Sequence, residues 1–388
     1  MKIEVYKSLN QISSDDWNSC SSPEKKVGRP NDPFTSYEFL KALEDSNSVG
    51  KGTGWEPLYI AVYQERNLIG CAPMYLKYHS QGEYIFDHNW AYAYESAGGQ
   101  YYPKLQISAP FTPVTGKRFL VLPGFEEKAT NALVKAAIEI ASKNSISSLH
   151  VTFCTEAEKN LGEKLGLLTR TSQQFHWQNK NYSTFDDFLS ALSSRKRKNI
   201  RKERLRANSF GGKIYALTGH EMRPEHWDAF WNFYQATGRK KWGHPYLTRE
   251  FFDIVHSQMK DITVMFFAER DNKYVAGALN FLGKDTLYGR YWGCIEDHEF
   301  LHFEACYYRA IEFAISNGIK KVEAGAQGEH KLARGYMPVE TYSLHWILEE
   351  NFRKAVEAYL KAEKKAVKEA IDGLANFAPF KKIDLGEY

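Results

Sequence analysis

LGEKLGLLTRTSQQFHW, residues 161–177, and HKLARGYMPVETYSLHW, residues 330–346, end alike. Each closes on an apolar residue followed by His-Trp, and each Trp lies eleven residues past a glycine, Gly166 and Gly335. The match extends outward. PLYIAVYQERNLIGCAPMYLKYH (57–79) and ITVMFFAERDNKYVAGALNFLG (262–283) each read as an apolar run, a polar turn and a second apolar run with a glycine, Gly70 or Gly277. Turn chemistry between two such runs is the signature of a β-hairpin. EEKATNALVKAAIEIASKN (126–144) and HFEACYYRAIEFAISNG (302–318) place apolar residues at i, i+3, i+4 and i+7, the stripe of a helix lying on a sheet, with Gly318 as a C-terminal cap. SSLHVTF (147–153) and KKVEAGA (320–326) then read as strands. Four matching elements in one order imply an internal duplication. The expected fold is therefore α+β, a mixed α/β architecture written twice. The expected domains are residues 1–180, a basic inter-domain helix over 181–210, a second domain over 211–350 and a C-terminal helical extension over 351–388.

The first copy is longer. The excess falls on SQGEYIFDHNWAYAYESAGGQYYPKLQ (80–106), rich in aromatics and glycine, which reads as an inserted loop. At 388 residues the chain suits two domains, and 43% apolar with 25% charged residues is the composition of a globular protein. The net charge of +4 excludes a molecule coated for polyanions, so an acidic ligand needs a local patch. SSRKRKNIRKERLRA (193–207) is that patch: eight of the twelve residues Arg195–Arg206 are Lys or Arg, and Glu203 is its single acid. Thr184 with Asp187 is a capping pair that starts a helix, and Phe185, Phe188, Leu189, Leu192 and Ile200 give it a buried face. Like charges at i, i+4 cost stability unless a polyanion or an acidic groove faces them. Five scattered cysteines without a CxxC pair exclude a disulfide framework and a zinc site, and no metal ligand set is expected. The charged N-terminus lacks a signal-peptide core, and no run of 18 apolar residues is present, so the expectation is a cytoplasmic protein without a transmembrane segment.

The order of elements resembles the acyl-CoA N-acyltransferase (GNAT) fold in tandem, the arrangement of the Fem-type aminoacyl transferases. SYEFLKALE, PKLQISAPFTPVTG, SSRKRKNIRKER, RKKWGHPYLTREFF, LYGRYWGC, LHFEACYYRAIEFAI and VEAGAQGEHKLARGYMPVETYSLHW resemble the FemAB-like family of N-acyltransferases, the peptidoglycan-biosynthesis-like group, over roughly residues 34–350. The resemblance implies transfer of an acyl or aminoacyl group to an amine. It implies aminoacyl-tRNA or acyl-CoA as co-substrate, no tightly bound cofactor, and an amine-bearing small molecule or peptide as acceptor. It also implies a role for Lys331, which precedes the Arg334-Gly335-Tyr336 turn, in holding the donor or the transition state. The competing reading is a non-catalytic nucleic-acid or ligand-binding module on the same fold.

Amine acylation needs a proton acceptor, donors for the oxyanion and a hold on the donor's anionic handle. EAGAQGEHKLARGY (323–336) crowds Glu323, Gln327, Glu329, His330 and Lys331 at a strand end among small residues. Lys331, Glu329 and His330 are the catalytic candidates there, and His302 and Glu304 at the start of the preceding helix are candidates for general base. Donor-binding candidates are Arg195, Arg197, Lys198 and Arg201, the loop residues Lys240, Lys241 and Trp242, and Gln327. Acceptor-binding candidates are Asp87, His88, Trp90, Tyr92 and Tyr102 of the inserted loop. Where the GNAT pattern expects a glycine-rich basic loop, the second copy has Glu296, Asp297 and Glu299, which repel a pyrophosphate; the first copy offers Gly116-Lys117-Arg118 as a phosphate cradle. His176 and His345, duplicated beside Trp, read as core positions.

Overall fold

The computed structural model describes residues 1–24, 28–240, 245–326 and 328–381. The chain divides into two units. Unit 1 comprises Met1–Gln173, Tyr246–Val255 and Glu340–Glu369; unit 2 comprises Gln174–Pro245, His256–Val339 and Ala370–Tyr388.

Unit 1 contains β1 (Lys2–Tyr6), β2 (Trp55–Pro57), β3 (Tyr59–Gln64), β4 (Asn67–Ala72), β5 (Met74–Lys77), β6 (Lys104–Ile107), β7 (Leu120–Val121), β8 (Ser148–Cys154) and the start of β9 (Leu168–Gln178). The expected hairpin is β3–β4, turning at Glu65 with φ 56°. The expected helix runs Glu126–Lys143, acidic in its first turn and closed by Lys143. Its Ala129, Leu133, Val134, Ala137 and Ala141 pack on Ile60, Val62 and Ile69 of the hairpin. Gly70 lets the helix approach, because a Cβ there would stand 3.0 Å from that of Ala129. β6 pairs parallel with β8, and every residue of β8 is buried.

Unit 2 contains β10 (Lys213–Thr218), β11 (Thr263–Arg270), β12 (Lys273–Leu282), β13 (Thr286–Cys294), β14 (Lys321–Glu323) and the start of β15 (Met337–Ile347). The β11–β12 hairpin turns at Asp271 and Asn272, with φ of 51° and 59°, a left-handed pair that these residue types tolerate and the hairpin twist favours. The helix expected over 302–318 is heterogeneous: Leu301–Phe303 is α-helical, Glu304–Tyr308 is a π-helical turn, and Arg309–Ser316 is α-helical again, ending at Gly318 with φ 65° as expected.

The duplication holds element by element, but its last strands are exchanged. The His-Trp end of β9 pairs with β14, Trp177 opposite Val322 and His176 opposite Glu323, within unit 2. The His-Trp end of β15 pairs with β8, Trp346 opposite Leu149 and His345 opposite His150, within unit 1. Residues 174–180 and 340–350 therefore belong to the other unit than contiguous domains of 1–180 and 211–350 would give. A strand goes where its N–H and C=O groups are met, whatever its place in the chain.

The Thr184–Asp187 capping box forms as expected. The basic stretch is not one helix, however. Helix Phe185–Ala191 stops at Leu192, and helix Ser194–Ala207 starts anew. The C-terminal segment takes the backbone groups at the break: Ser193 N donates to Pro379 O and Lys381 N to Ala191 O. Ile200 and Ala207 bury the inner side of the second helix in unit 2. Helix Glu350–Ala375 buries only Val356 and Leu360 among its described side chains. Among the described residues no helix is long and apolar enough to cross a membrane.

Candidate functional site

In unit 2 the parallel pairing of β13 with β14 covers Thr286–Tyr288 against Lys321–Glu323 and then stops, while β13 continues to Cys294. The stretch Gly289–Trp292 is half-exposed, and its edge on the β14 side meets no strand among the described residues. Such a splay presents backbone N–H groups to a ligand. After Glu323 the chain turns through Gly325 (φ 80°) and Gly328 (φ 113°) into a 3-10 helix, Glu329–Arg334. Left-handed backbone at two positions in four residues calls for glycine at both.

Lys331 is buried, 1% exposed, and its ammonium donates to Gly325 O at 2.8 Å. Burial pushes its pKa down to about 8, opposed by the charge of Cys306. Glu323, 3% exposed, stands where the strands part. Neither carboxylate oxygen has a hydrogen-bond partner. Lys321 Nζ is 2.6 Å from Oε1, an ion pair outside hydrogen-bond geometry, and His176 Nε2 is 3.8 Å from Oε2. Burial lowers the His176 pKa; Glu323 opposes that shift, while the charges of Lys321 and Lys331 reinforce it. A buried carboxylate whose oxygens lack hydrogen bonds, beside a neutral imidazole, can accept a proton, and a buried ammonium can hold an oxyanion. Glu323 is among the polar residues that crowd the strand end in the sequence, but His176 reads there as core. The signal that joins them is the duplicated register, which puts His176 opposite Glu323.

The remaining expected catalytic residues fall into two groups. Glu304 is fully buried and clamped: Arg204 Nη2 donates to Oε1 at 2.9 Å, and Arg309 Nε lies 3.0 Å from the same oxygen. The structure gives it an anchoring role for the basic helix in place of a base. His302 is half-buried, its ring 5.3 Å from that of Trp292. Glu329 is exposed; His330 bonds the Tyr307 hydroxyl at 2.9 Å and stacks on Phe303.

Of the donor candidates, Arg195, Lys198 and Arg201 are exposed on the basic helix and Arg197 is half-buried. Arg201 reaches Asp186 at 3.2 Å in an exposed pair; Arg195, Arg197 and Lys198 have no acidic partner among the described residues. Lys240 ends helix Pro224–Lys240, so the expected loop begins later, and Lys241, Trp242 and Gln327 lie outside the described residues. The Gly116-Lys117-Arg118 turn is no cradle. Arg118 is fully buried and spent internally, donating to Thr152 O at 2.9 Å and to Val114 O and pairing with Asp32, and a Cβ on Gly116 would collide with Asp32. Two acids of the stretch 296–299 are ion-paired: Arg270 Nη2 lies 2.9 Å from Glu296, whose Oε2 is also 2.8 Å from His298 Nε2, and Arg206 Nη1 lies 2.8 Å from Glu299.

In unit 1 the inserted segment is not an open loop. His88–Ser96 is a helix; buried Asp87 and half-buried Tyr102 lie beside Lys104, and Trp90 is buried against His150 and His345. Lys104 is fully buried; its Nζ donates to Glu83 at 2.8 Å, to Ser80 at 2.9 Å and to Asp87, and Tyr101 OH donates to Asp87 at 2.7 Å. Tyr102 OH lies 2.7 Å from Ser80 Oγ. A buried ammonium needs anions, and the acids of the insertion supply them. Of the five acceptor candidates only His88 and Tyr92 face solvent. Trp90 closes over the place that corresponds to the Glu323–His176 pair, where unit 1 has His150 and His345 with Nδ1 atoms 2.8 Å apart. Burial pushes His150 down to about 3 and His345 well below its usual value. Both are neutral in the folded chain and titrate near 6.5 when unfolded, so their contribution is present above about pH 6.5 and drains as pH falls toward 3. The loss amounts to at most about 1.4 kcal/mol per pH unit for each imidazole. In acid-unfolding titrations the double variant His150→Gln, His345→Gln flattens the limb between about pH 6.5 and 4 relative to wild type. An unchanged limb would mean that these imidazoles are charged in the fold.

A sequence profile of the FemAB-like family, described as peptidoglycan biosynthesis and recognition, matches residues 8–382. The crystal structure of FemX is 14% identical over 91% of this chain and 100% of that chain, with a TM-score of 0.54. A protein of unknown function from Bacteroides thetaiotaomicron VPI-5482 is 11% identical over 90% of this chain and 100% of that chain, with a TM-score of 0.51. L-PGS from Bacillus licheniformis is 10% identical over 86% of this chain and 98% of that chain, with a TM-score of 0.50. At these identities the likenesses establish the fold. No curated protein sequence matches the chain.

Proposed function

The chain belongs to the FemAB-like family, and we propose that it is an N-acyltransferase that moves an aminoacyl group from charged tRNA to a primary amine at the splayed end of β13 and β14. The observation that carries this reading is the buried Glu323–His176 pair at the end of β14, whose carboxylate oxygens lack hydrogen bonds; Lys331, buried and anchored on Gly325 O, follows eight residues after Glu323. The amine nitrogen attacks the ester carbonyl carbon. Glu323, with His176, takes the proton the nitrogen loses. Lys331 and the N–H groups on the β14-side edge of β13 stabilise the oxyanion, and the C–O bond to the ribose breaks as the proton passes to the leaving hydroxyl. The reading needs no tightly held cofactor.

Two features favour aminoacyl-tRNA over acyl-CoA. The segment before Leu301, where a pyrophosphate would lie in the GNAT pattern, carries Glu296, Asp297 and Glu299, and the basic groups near it are engaged by those acids. The outer face of helix Ser194–Ala207 presents Arg195, Lys198 and Lys202 at i, i+3 and i+7, a stripe about 10 Å long at 1.5 Å per residue, suited to successive phosphates. The family description supports a cell-wall peptide amine as acceptor. Charged tRNA and five free cysteines both suit the cytoplasm, which we take as the site of reaction.

The test offers labelled aminoacyl-tRNA and a panel of acyl-CoA thioesters with amine acceptors, including peptidoglycan stem peptides. Transfer is expected from tRNA. Neutralising Arg195, Lys198 and Lys202 to Gln raises the donor KM and lowers the slope of log affinity against log salt by about 0.7–0.9 for each phosphate no longer neutralised. Transfer from CoA alone refutes the donor assignment. RNA binding without transfer from any donor, unchanged in Lys331→Met, refutes the enzyme reading in favour of a binding module.

A further inference from the structure

Lys331 rides on a six-residue 3-10 turn bounded by two glycines with positive φ, Gly328 and Gly335. Glycine at both ends lets such a turn move as a piece unless side chains pin it. Leu332 pins it to the apolar core of unit 2. His330 pins it to Tyr307 and Phe303. Arg334, whose side chain is 7% exposed, is the third pin. Its Nη1 donates to His330 O at 2.7 Å within the turn, its guanidinium lies 3.5 Å over the Phe303 ring, and its Nη2 donates to Glu203 at 2.9 Å.

Glu203 is the single acid on the basic helix, and its Oε2 also accepts from the Tyr308 hydroxyl. The same helix is fixed elsewhere by Arg204 on Glu304 and Glu312 and by Arg206 on Glu299. Among the described residues Glu203–Arg334 is the one ion pair that ties this helix to the turn carrying Lys331. An acid in the middle of a basic run works against polyanion binding on that helix, so its cost needs a return. The return is visible one helix face away, at the lysine of the candidate site.

We infer that Glu203 and Arg334 are positioning residues: their ion pair holds the Lys331 turn in register with the basic helix, so that a polyanion seated on the helix sets the place of the Lys331 ammonium. The coupling to a polyanion rests on the donor assignment proposed above. The positioning of Lys331 does not, and it has a readout that needs no catalysis. Lys331 is faced by Cys306 from the π-helical turn and by His176 from β9, with His330 and Arg334 on its own turn. Its titration midpoint therefore reports where it stands among them.

Glu203→Gln keeps the shape and an acceptor for Tyr308 while removing the charge. In the transfer assay kcat is expected to fall about tenfold while the donor KM does not rise, a split that a loosened fold does not produce. Without any donor, the acylation rate of Lys331 by dilute acetic anhydride, followed by peptide mass spectrometry from about pH 6 to 10, gives its midpoint, which is expected to shift by about half a unit or more in the variant. Uncharged tRNA is expected to change the Lys331 labelling rate in wild type and not in Glu203→Gln. Should Glu203→Gln not fold, Arg334→Lys, which keeps the charge and loses the two-armed grip, is expected to give the same shifts. An unchanged midpoint and an unchanged kcat in a folded variant overturn the inference. A shifted midpoint in a protein that transfers nothing leaves the positioning intact and defeats the proposed function.

Discussion

Lys331→Met lowers the transfer rate constant about 10²–10³-fold and leaves the protein folded. The fold survives because the change removes a buried charge and keeps the length of the side chain; the one hydrogen bond it removes is that to Gly325 O. The rate falls because, in the proposed mechanism, the buried cation stabilises the oxyanion where little water screens it. The pH dependence follows from the same burial. With its pKa lowered to about 8, Lys331 is an ammonium below that pH and a neutral amine above it. Single-turnover rates with charged tRNA should thus decline as pH rises through about 8, and Lys331→Arg, charged throughout, should lack that decline. A Lys331→Met rate within about threefold of wild type would remove Lys331 from the chemistry.

Lys104→Met destabilises unit 1 by about 3–5 kcal/mol, a large part of the 5–15 kcal/mol that holds a typical fold. Lys104 is fully enclosed with Glu83 and Asp87, and its pKa is set by opposing influences: burial lowers it, and the two carboxylates more than offset that and hold it raised. Burial likewise raises Glu83, which Lys104 counters. Removing the ammonium leaves buried Asp87 without a cation and Glu83 with Lys77 alone, 3.7 Å away, so the cost comes from what remains and not from the methylenes exchanged. Asp87→Asn added to Lys104→Met should return much of the loss, since the stranded charge is then gone and Glu83 keeps Lys77 as its partner. Urea denaturation followed by the fluorescence of Trp90, which packs over the neighbouring His150 and His345, measures both. A double variant as unstable as the single one would show that packing, and not charge compensation, is what Lys104 supplies.

The two lysines are not equally legible in the sequence. Lys331 is marked by the family motif and by the glycines around it, features that lie within a few residues of it in the chain. Lys104 sits in YYPKLQI without any local mark, because its partners Glu83 and Asp87 come from an insertion that reads as an acceptor-binding loop. The aromatic and acidic residues of that insertion stand out in the sequence; the direction they face does not. Glu304 shows the converse. Near a helix start with a histidine it reads as a base, yet two arginines, one of them Arg204 of the basic helix, turn it into an anchor.

Taken alone, the sequence determined the element order, the duplication, the β3–β4 and β11–β12 hairpins, the Thr184–Asp187 cap and the Gly318 helix end. All of these follow from periodicity and turn chemistry, which act over a few residues. Tertiary structure alone decided the exchange of β9 and β15, the meeting of His176 with Glu323, and the sealing of the corresponding place in unit 1 by Trp90. Backbone hydrogen bonds and buried charges must be satisfied by whichever groups share the interior, and distance along the chain does not enter that requirement.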